Sequence, residues 1–510
     1  MSKGYLLGVD IGTYESKGVL TTVDGNPVSI QVRPHGLSIP RQGWAEHDAE
    51  AVWWGDFRSI VQGLLEDAGI KANDILAVAC STIGPAIVPV DKEIRPLRPA
   101  ILYGIDTRAT DEIAFLEKHL GIEAIYEKCG TRLSAQSVGP KILWIKNNEP
   151  EIYNKAYKFV GGTTFLVARL TGKYVIDHYS CASNDPMYDP KTGAWNEEFC
   201  REIVDPRRLP EIGWTSEIAG TVTREVAQET GLAEGTPVTV GTIDAAAEAV
   251  SVGVVRPGQM MLMYGSTLFI IGVVKDRTTD KRLWSAPYLF PGTHAIMAGM
   301  ATTGALTRWF RDNFAEDLKM KEHETGVNAY AELAGDAATV PVGSEGLIVL
   351  PYFSGERTPI NDPKARGLIF GLTLAHSRGS VYRAILEAVG YGIKHHFDVF
   401  DNISVDMDSI RAVGGGTKNL LWLQIVSDIC GRAQEVPEVT FGASYGDAFL
   451  AGMGAGVFSS YDDISGWVKD ISLVRPNPEA TRRYEPYYNM YLELYRRNKD
   501  LMHSISKFPG

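Results

Sequence analysis

Cysteine is scarce and scattered in this sequence. Its five cysteines, Cys80, Cys129, Cys181, Cys200 and Cys430, form no CxxC pair in 510 residues. Neither a zinc site nor a disulfide framework is expected from that spacing. Long apolar runs are also missing: none approaches the ~18 residues of a membrane span, and the N-terminus enters a strand pattern with no signal-peptide core. A cytoplasmic location is the expectation. Positive charge is in deficit, with 50 Lys and Arg against 62 Asp and Glu and a formal net charge of −12. A nucleic-acid surface wants a basic stripe, so neither nucleic acid nor a membrane is an expected partner. What remains is ordinary for a globular enzyme, 45% hydrophobic and 22% charged, at a length that calls for two or more domains.

The chain is organised around residues 5–23. Leu6, Leu7 and Val9 read as one buried strand, and Val19, Leu20 and Val23 as its return. Between them lie Asp10, Gly12 and Thr13, with Ser16 and Lys17 just beyond. Glycine lets backbone amides approach an anion, and successive turn amides form an anion-binding concavity. A carboxylate beside phosphates is unfavourable unless a cation lies between, so Asp10 suggests Mg²⁺ held partly through water. An ordinary hairpin with a polar turn is the other reading of so short a motif.

Downstream the pattern alternates strand and helix. Asp48 reads as the N-cap of a helix over 51–65, and 75–80 as a short buried strand. Residues 153–171 read as helical, ended by Gly172, and 237–244 as a strand ending in Asp244, followed by a small-residue helix. Residues 259–274 then repeat the opening unit: an apolar strand, a Gly265-Ser266-Thr267 turn and an apolar return. This is either a weak internal repeat or a coincidence of common hairpins. The repeat puts the domain boundary near 252, giving domains 1–252 and 253–510, with one phosphate turn in each. A Gly-containing turn at 301–304 opens an amphipathic helix, whose N-terminus favours phosphate. Residues 410–413 enter Gly414-Gly415-Gly416, which suits a planar base. Residues 443–456 read as a close-packing helix, and the remainder as a helical tail.

The order of these motifs is more specific than any one of them. In Gly8–Thr13, Gly43–Asp48, Pro351–Pro363, Arg366–Leu372 and Gly414–Thr417 the chain resembles the FGGY family of carbohydrate kinases, and within it the xylulokinase-like branch. The resemblance spans roughly residues 5–460. It implies an α/β fold of two ribonuclease-H-like domains, of the actin and hexokinase ATPase type, facing across a cleft and closing over ATP and a sugar or polyol. Asp10 then supports Mg²⁺, with Gly12, Thr13, Ser16 and Lys17 near the terminal phosphates. Gly265, Ser266 and Thr267 form the second phosphate turn, Gly304 and Arg308 lie beside the nucleotide, and Gly415, Gly416, Thr417 and Asn419 cradle adenosine. Asp244 is the catalytic base. A helix N-cap is its structural alternative, and both can hold.

Substrate recognition departs from the family. Gly84-Pro85 stands where xylulokinases place Met-His and glycerol kinases Arg-Glu, which removes side-chain donors to substrate hydroxyls. Ala245 stands where Asn or Gln is frequent. Asp106 and Arg108 are candidates to compensate, Gln136 falls about where an aromatic contact lies in glycerol kinases, and Trp44 and His47 are candidates to frame the entrance. The expected acceptor is a pentulose such as xylulose, with another polyol, a tetrose derivative or a sugar acid (glycerol- or gluconate-like) as the alternative. A homodimer is a further expectation. A non-catalytic sugar-binding protein and an actin-like ATPase are the competing classes. The paired acids Asp10 and Asp244 speak against the first, and the loop at 354–359 against the second.

Overall fold

The computed structural model describes residues 4–508. The chain forms two compact units. Unit 1 takes the N-terminal residues through Pro257, with Val273–Ile296 and Val439–Lys469; unit 2 takes Gly258–Gly272, Met297–Glu438 and the residues from Asp470 on. The helix Ala443–Gly454 belongs to unit 1 rather than to its sequence neighbours.

In unit 1, β1 (Tyr5–Ile11) and β2 (Glu15–Thr22) form the antiparallel hairpin, and β3 (Pro27–Pro34) pairs with the outer side of β2. Helix α1 (Gly55–Ala68) follows, then β4 (Ile75–Thr82), parallel to β1, and β5 (Pro237–Thr239), parallel to β4. The order is β5-β4-β1-β2-β3, with Ile218–Thr221 beyond β5. Leu6, Leu7, Val9 and Ile11 are all buried because the sheet is covered on both faces, which removes the polar–apolar alternation of a one-sided strand. A Cβ on Gly18 would meet Ile60 at 2.2 Å, on the α1 side. One on Gly8 would meet the carbonyl oxygen of Ser444 at 1.9 Å, on the side of Ala443–Gly454. Glycine at these two positions lets the helices close on the strands.

Three expectations shift in detail. Asp48 does cap its helix, accepting from the amides of Glu50 and Ala51, but the helix opens with a wide turn at Ala49–Trp54 before α1. Within 153–171, Lys158–Val160 is a strand paired with Val88–Val90, and the helix is only Gly162–Thr171. The strand at 237–244 breaks at Gly241, whose φ of 72° no ordinary side chain favours, and resumes as Thr242–Ile243 beside β4. Helix α2 (Asp244–Ser251) starts at the next residue.

Unit 2 repeats the strand order. β6 (Gln259–Tyr264) and β7 (Leu268–Val274) form the second hairpin, and β8 (His294–Met300) neighbours β7. After α3 (Gly304–Phe314), α4 (Ala329–Ala338) and the long α5 (Arg378–Asn402) comes β9 (Ser409–Val413), parallel to β6. Helix α6 (Leu420–Cys430) leads to β10 (Gln434–Pro437), parallel to β9. The order β8-β7-β6-β9-β10 matches β3-β2-β1-β4-β5. The tail is not wholly helical: β11 (Ile471–Val474) extends the sheet beyond β10 before α7 (Pro478–Ile505). Among the described residues, no helix is long and apolar enough to cross a membrane.

Candidate active site

Strand register assembles the acidic end of unit 1. Asp10 is level with Lys17 on β2 and with Ser81 on β4, and Ser81 is level with Thr242, two residues before Asp244. Asp244 is the first residue of α2, and its Oδ1 accepts from the Ala245 amide at 2.7 Å. The helix N-terminus favours the ionised carboxylate, but desolvation outweighs it, and with Glu248 one turn on the group is pushed up to about 7. Glu248 is likewise raised to about 7 by burial, against the relief of Lys17. Asp10 is held well above the usual carboxylate range by desolvation and then by the charges of Asp244 and Asp447.

Asp447 was not foreseen. It is the one charged residue in 443–452, an acid inside an Ala- and Gly-rich helix, and that mismatch was the available signal. Ser81 Oγ lies 2.6 Å from Asp447 Oδ2 and 3.1 Å from Asp10 Oδ1. The single Ser81 hydroxyl proton is shared between the two carboxyls. Asp447 Oδ1 has no partner in its buried place. Among the described residues no three His, Cys, Asp or Glu side chains are placed to hold a metal by themselves. Mg²⁺ asks for less, one or two carboxylates with water and phosphate oxygens, and the raised, cation-poor Asp10 fits an ion of that kind.

The other expected residues of unit 1 divide. Gly12 and Thr13 form the turn, where a Cβ on Gly12 would meet the Glu15 carbonyl oxygen at 2.8 Å. Lys17 shares a face with Asp10, its cross-strand partner. Ser16, one residue away, points to the opposite face; it is buried and donates to Asp56 Oδ2 at 2.7 Å, so its hydroxyl is spent inside the protein. Asp106 and Arg108 are spent too. Their side chains are fully buried and paired at 2.7 Å, Arg108 also holds Glu46 at 2.8 Å, and Asp106 accepts from the Ala45 amide. Trp44 packs under that guanidinium, 4.0 Å from ring centre to Cζ. These three therefore form a closed internal network instead of a ligand surface. His47 is buried against the turn and does not frame an entrance. Gln136 Oε1 accepts from the Gly104 amide at 3.1 Å, and the buried Lys141 donates to the Leu102 carbonyl, so both tie down the 102–104 loop. Gly84 and Pro85 line a cavity of about 30 Å³ with Thr163, Asp177, Ser180 and Asn184, room for about one water.

Unit 2 carries a larger cavity of about 840 Å³, and Gly265, Ser266, Gly304, Arg308, Gly415, Gly416 and Asn419 all line it. Thr267 stays in the turn, off the wall, while Thr417 turns its hydroxyl back to the Gly414 carbonyl at 2.8 Å. Close approach requires a glycine at Gly416, where a Cβ would meet Tyr264 Cβ at 2.8 Å and Trp422 at 3.0 Å. Asn419 caps α6 by accepting from the Trp422 amide. The first amides of α3 are not left for phosphate, because those of Gly304 and Ala305 bond the carbonyls of Gly265 and Ser266 at 3.0 Å each. Asn328, Tyr330 and Lys418 also line the cavity. Asn328 was legible only as the N-cap it is, bonded to the amides of Tyr330 and Ala331.

A carboxylate cluster at one glycine turn and a nucleoside-sized cavity at another, each on an α/β sheet of the same order, define a two-domain phosphotransferase. The chain belongs to the FGGY family of carbohydrate kinases, whose N-terminal domain matches residues 5–251 and whose C-terminal domain matches 260–455. A xylulose kinase of Staphylococcus xylosus is 27% identical over 96% of this chain and 99% of its own. A gluconokinase of Bacillus subtilis is 28% identical over 96% of both. The crystal structure of a xylulose kinase from Rhodospirillum rubrum, 31% identical, superposes with a TM-score of 0.90 over 98% of this chain and 100% of that one. This protein is thus a carbohydrate kinase, a membership that implies ATP as phosphoryl donor and a small sugar as acceptor.

Proposed function

We propose that the protein transfers the terminal phosphoryl group of ATP to a hydroxyl of a small polyhydroxylated acceptor, with Asp244 as general base. The observation that carries this reading is the Asp244 carboxyl at the start of α2, set by strand register at the same sheet end as Asp10 and lifted by desolvation. Phosphoryl transfer asks mainly for positioning and charge stabilisation. What remains is the proton of the attacking hydroxyl, and a base is most effective when its pKa lies near the working pH. Asp244 takes that proton from an oxygen about 3 Å away. Asp10 would hold a Mg²⁺ ion, which when bound neutralises charge on the phosphates. The Gly12–Thr13 turn and Lys17 attract the terminal phosphates. Gly265, Ser266 and Thr267 serve as a second phosphate turn, and Arg308, Gly415, Gly416 and Asn419 surround the adenosine.

The acceptor is a pentulose such as xylulose, or a sugar acid or other polyol. Relatives named for xylulose and for gluconate are equally similar, and Gly84-Pro85 supplies no side-chain donor to decide between them. A coupled ADP-release assay over ketoses, polyols and aldonic acids, with a no-acceptor control, tests the proposal. ADP release dependent on one acceptor class supports it. Release that no acceptor stimulates would remove the kinase chemistry from Asp244.

A further inference from the structure

The turn between β1 and β2 is three residues long, Gly12, Thr13 and Tyr14. Its carbonyl oxygens are all taken by the protein. Gly12 O lies 3.1 Å from His35 Nε2, Thr13 O lies 3.1 Å from His47 Nε2, and Tyr14 O accepts the His35 backbone amide at 2.9 Å. In a planar trans peptide the carbonyl and the following amide point in opposite directions. Capturing the Gly12 and Thr13 carbonyls from one side therefore turns the Thr13 and Tyr14 amides to the other. Two successive amides so aimed make an anion-binding concavity. Without the histidines a Gly-containing turn is free to flip a carbonyl toward the anion.

The partners of each ring fix which nitrogen faces the turn. Trp53 Nε1 donates to His47 Nδ1 at 3.2 Å, so Nδ1 is the acceptor and the proton sits on Nε2, facing Thr13. Burial and the neighbouring His35 lower His47 to about 4, which keeps it a neutral donor. His35 faces acceptors on both sides, Asp56 Oδ2 at 2.9 Å from Nδ1 and the Gly12 carbonyl from Nε2. The Gly12 carbonyl can only accept, so the nitrogen facing it, Nε2, is the donor. The rings meet edge-on, 5.1 Å apart at 87°, and Ser16 braces the same Asp56 oxygen.

We propose that His35 and His47 are positioning residues of the first phosphate turn: the two imidazoles pin adjacent carbonyls so that the turn presents only amides to phosphate. The role rests on the reading of residues 12–14 as a phosphate turn, and it belongs to neither ring's own chemistry. An ordinary core histidine satisfies one carbonyl wherever it packs; here two histidines take consecutive carbonyls of a single short turn.

Two measurements on the full-length protein test this. In the unliganded ¹⁵N-histidine-labelled protein, long-range ¹H–¹⁵N correlation spectra at neutral pH should show a proton on Nε2 of both His47 and His35. A His47 or a His35 whose Nε2 carries no proton would overturn the clamp. This readout needs no substrate, so it stands even if the protein phosphorylates nothing and the kinase reading falls. In turnover, His47→Leu should lower kcat/KM for ATP about 10- to 100-fold, as a misplacement of about 1 Å can. His47→Gln, which keeps an N–H donor, should recover most of the loss at an unchanged melting temperature. Equal losses in the two variants, or none beyond about twofold, would overturn the proposal. If His47→Leu does not fold, the spectra and the Gln variant decide.

Discussion

The two glycine turns solve one problem with different donors. In unit 1 the carbonyls of Gly12 and Thr13 are pinned by imidazoles 23 and 34 residues away in sequence. In unit 2 the carbonyls of Gly265 and Ser266 are pinned by the backbone amides of Thr303, Gly304 and Ala305, and by the Thr303 hydroxyl. Either way the two amides that follow the glycine are turned to the other side. Side-chain donors can be exchanged one at a time. Backbone donors require a helix start pressed against the turn, and hence a glycine at the contact, where a Cβ on Gly304 would lie 2.5 Å from the Gly265 carbonyl oxygen. The surroundings differ as well. The first turn adjoins Asp10, Asp244, Glu248 and Asp447, whereas the second opens on a cavity whose wall carries Arg308 and Lys418. Acids suit proton removal and a metal ion; cations suit a nucleotide.

The largest effect is expected where that division is cut. Asp244→Asn should lower kcat by about 10²–10⁴-fold while ATP affinity, measured by titration calorimetry, stays within about twofold. Surviving turnover would take the base away from unit 1. Next comes Gly304→Ala, where backbone meets the new methyl and little can give, a cost of about 1–3 kcal/mol. ATP should bind about tenfold or more weakly. Gly12→Ala, with its contact at 2.8 Å, should weaken it less, and the reverse ranking would invert the comparison.

The carboxylate cluster gives the comparison a pH axis. The proposed base role of Asp244 needs the ionised carboxylate, so kcat/KM should rise as pH climbs through about 7; a flat profile from pH 6 to 8 would count against that role. Stability should run the other way. Acids whose folded pKa is raised bind more protons in the folded chain than in the unfolded one between their ordinary values near 4 and about 7. Unfolding free energy therefore falls as pH rises across that window. Calorimetric melting of the unliganded protein should move down from pH 5 to pH 8. A midpoint that rose instead would mean that a cation already balances the cluster. Glu356 of unit 2, pushed to about 8 by burial, adds to the same trend at its upper end. The smallest effect is Thr303→Val, which removes one hydroxyl donor while the backbone amides remain. A loss of about 1 kcal/mol, a few-fold in ATP affinity, is the expected outcome, and a loss as large as that of Gly304→Ala would show the hydroxyl, not the helix start, to be the main clamp.

Much of the fold was legible because its signals are local. The Gly12 and Gly265 turns, the Asp48 cap and the Ala- and Gly-rich packing helix each announce themselves in a short stretch. Breaks within elements were less legible: Lys158–Val160 is too short for its periodicity to outweigh the helical signal around it. Among site residues, a neighbour set by register can be read along the chain, as Lys17 beside Asp10. One whose partner lies elsewhere cannot. Ser16 reads as a ligand until Asp56 is found next to it, and Arg108 until Asp106 and Glu46 surround it.

The sequence by itself determined that this chain carries two hairpins with glycine turns, an acid at the end of the strand before the first turn and another opening α2, and motifs in the order of a sugar kinase family. Turn propensity, strand register and motif order are written within a few residues, so they can be read without coordinates. Only the tertiary structure decided which polar groups were left for chemistry. It set Ser81 against Asp447 across 366 positions, closed Asp106 and Arg108 on each other, and brought His35 and His47 to the carbonyls of the first turn. Burial makes each buried polar group find a partner, and the choice of that partner depends on long-range packing that no local pattern encodes.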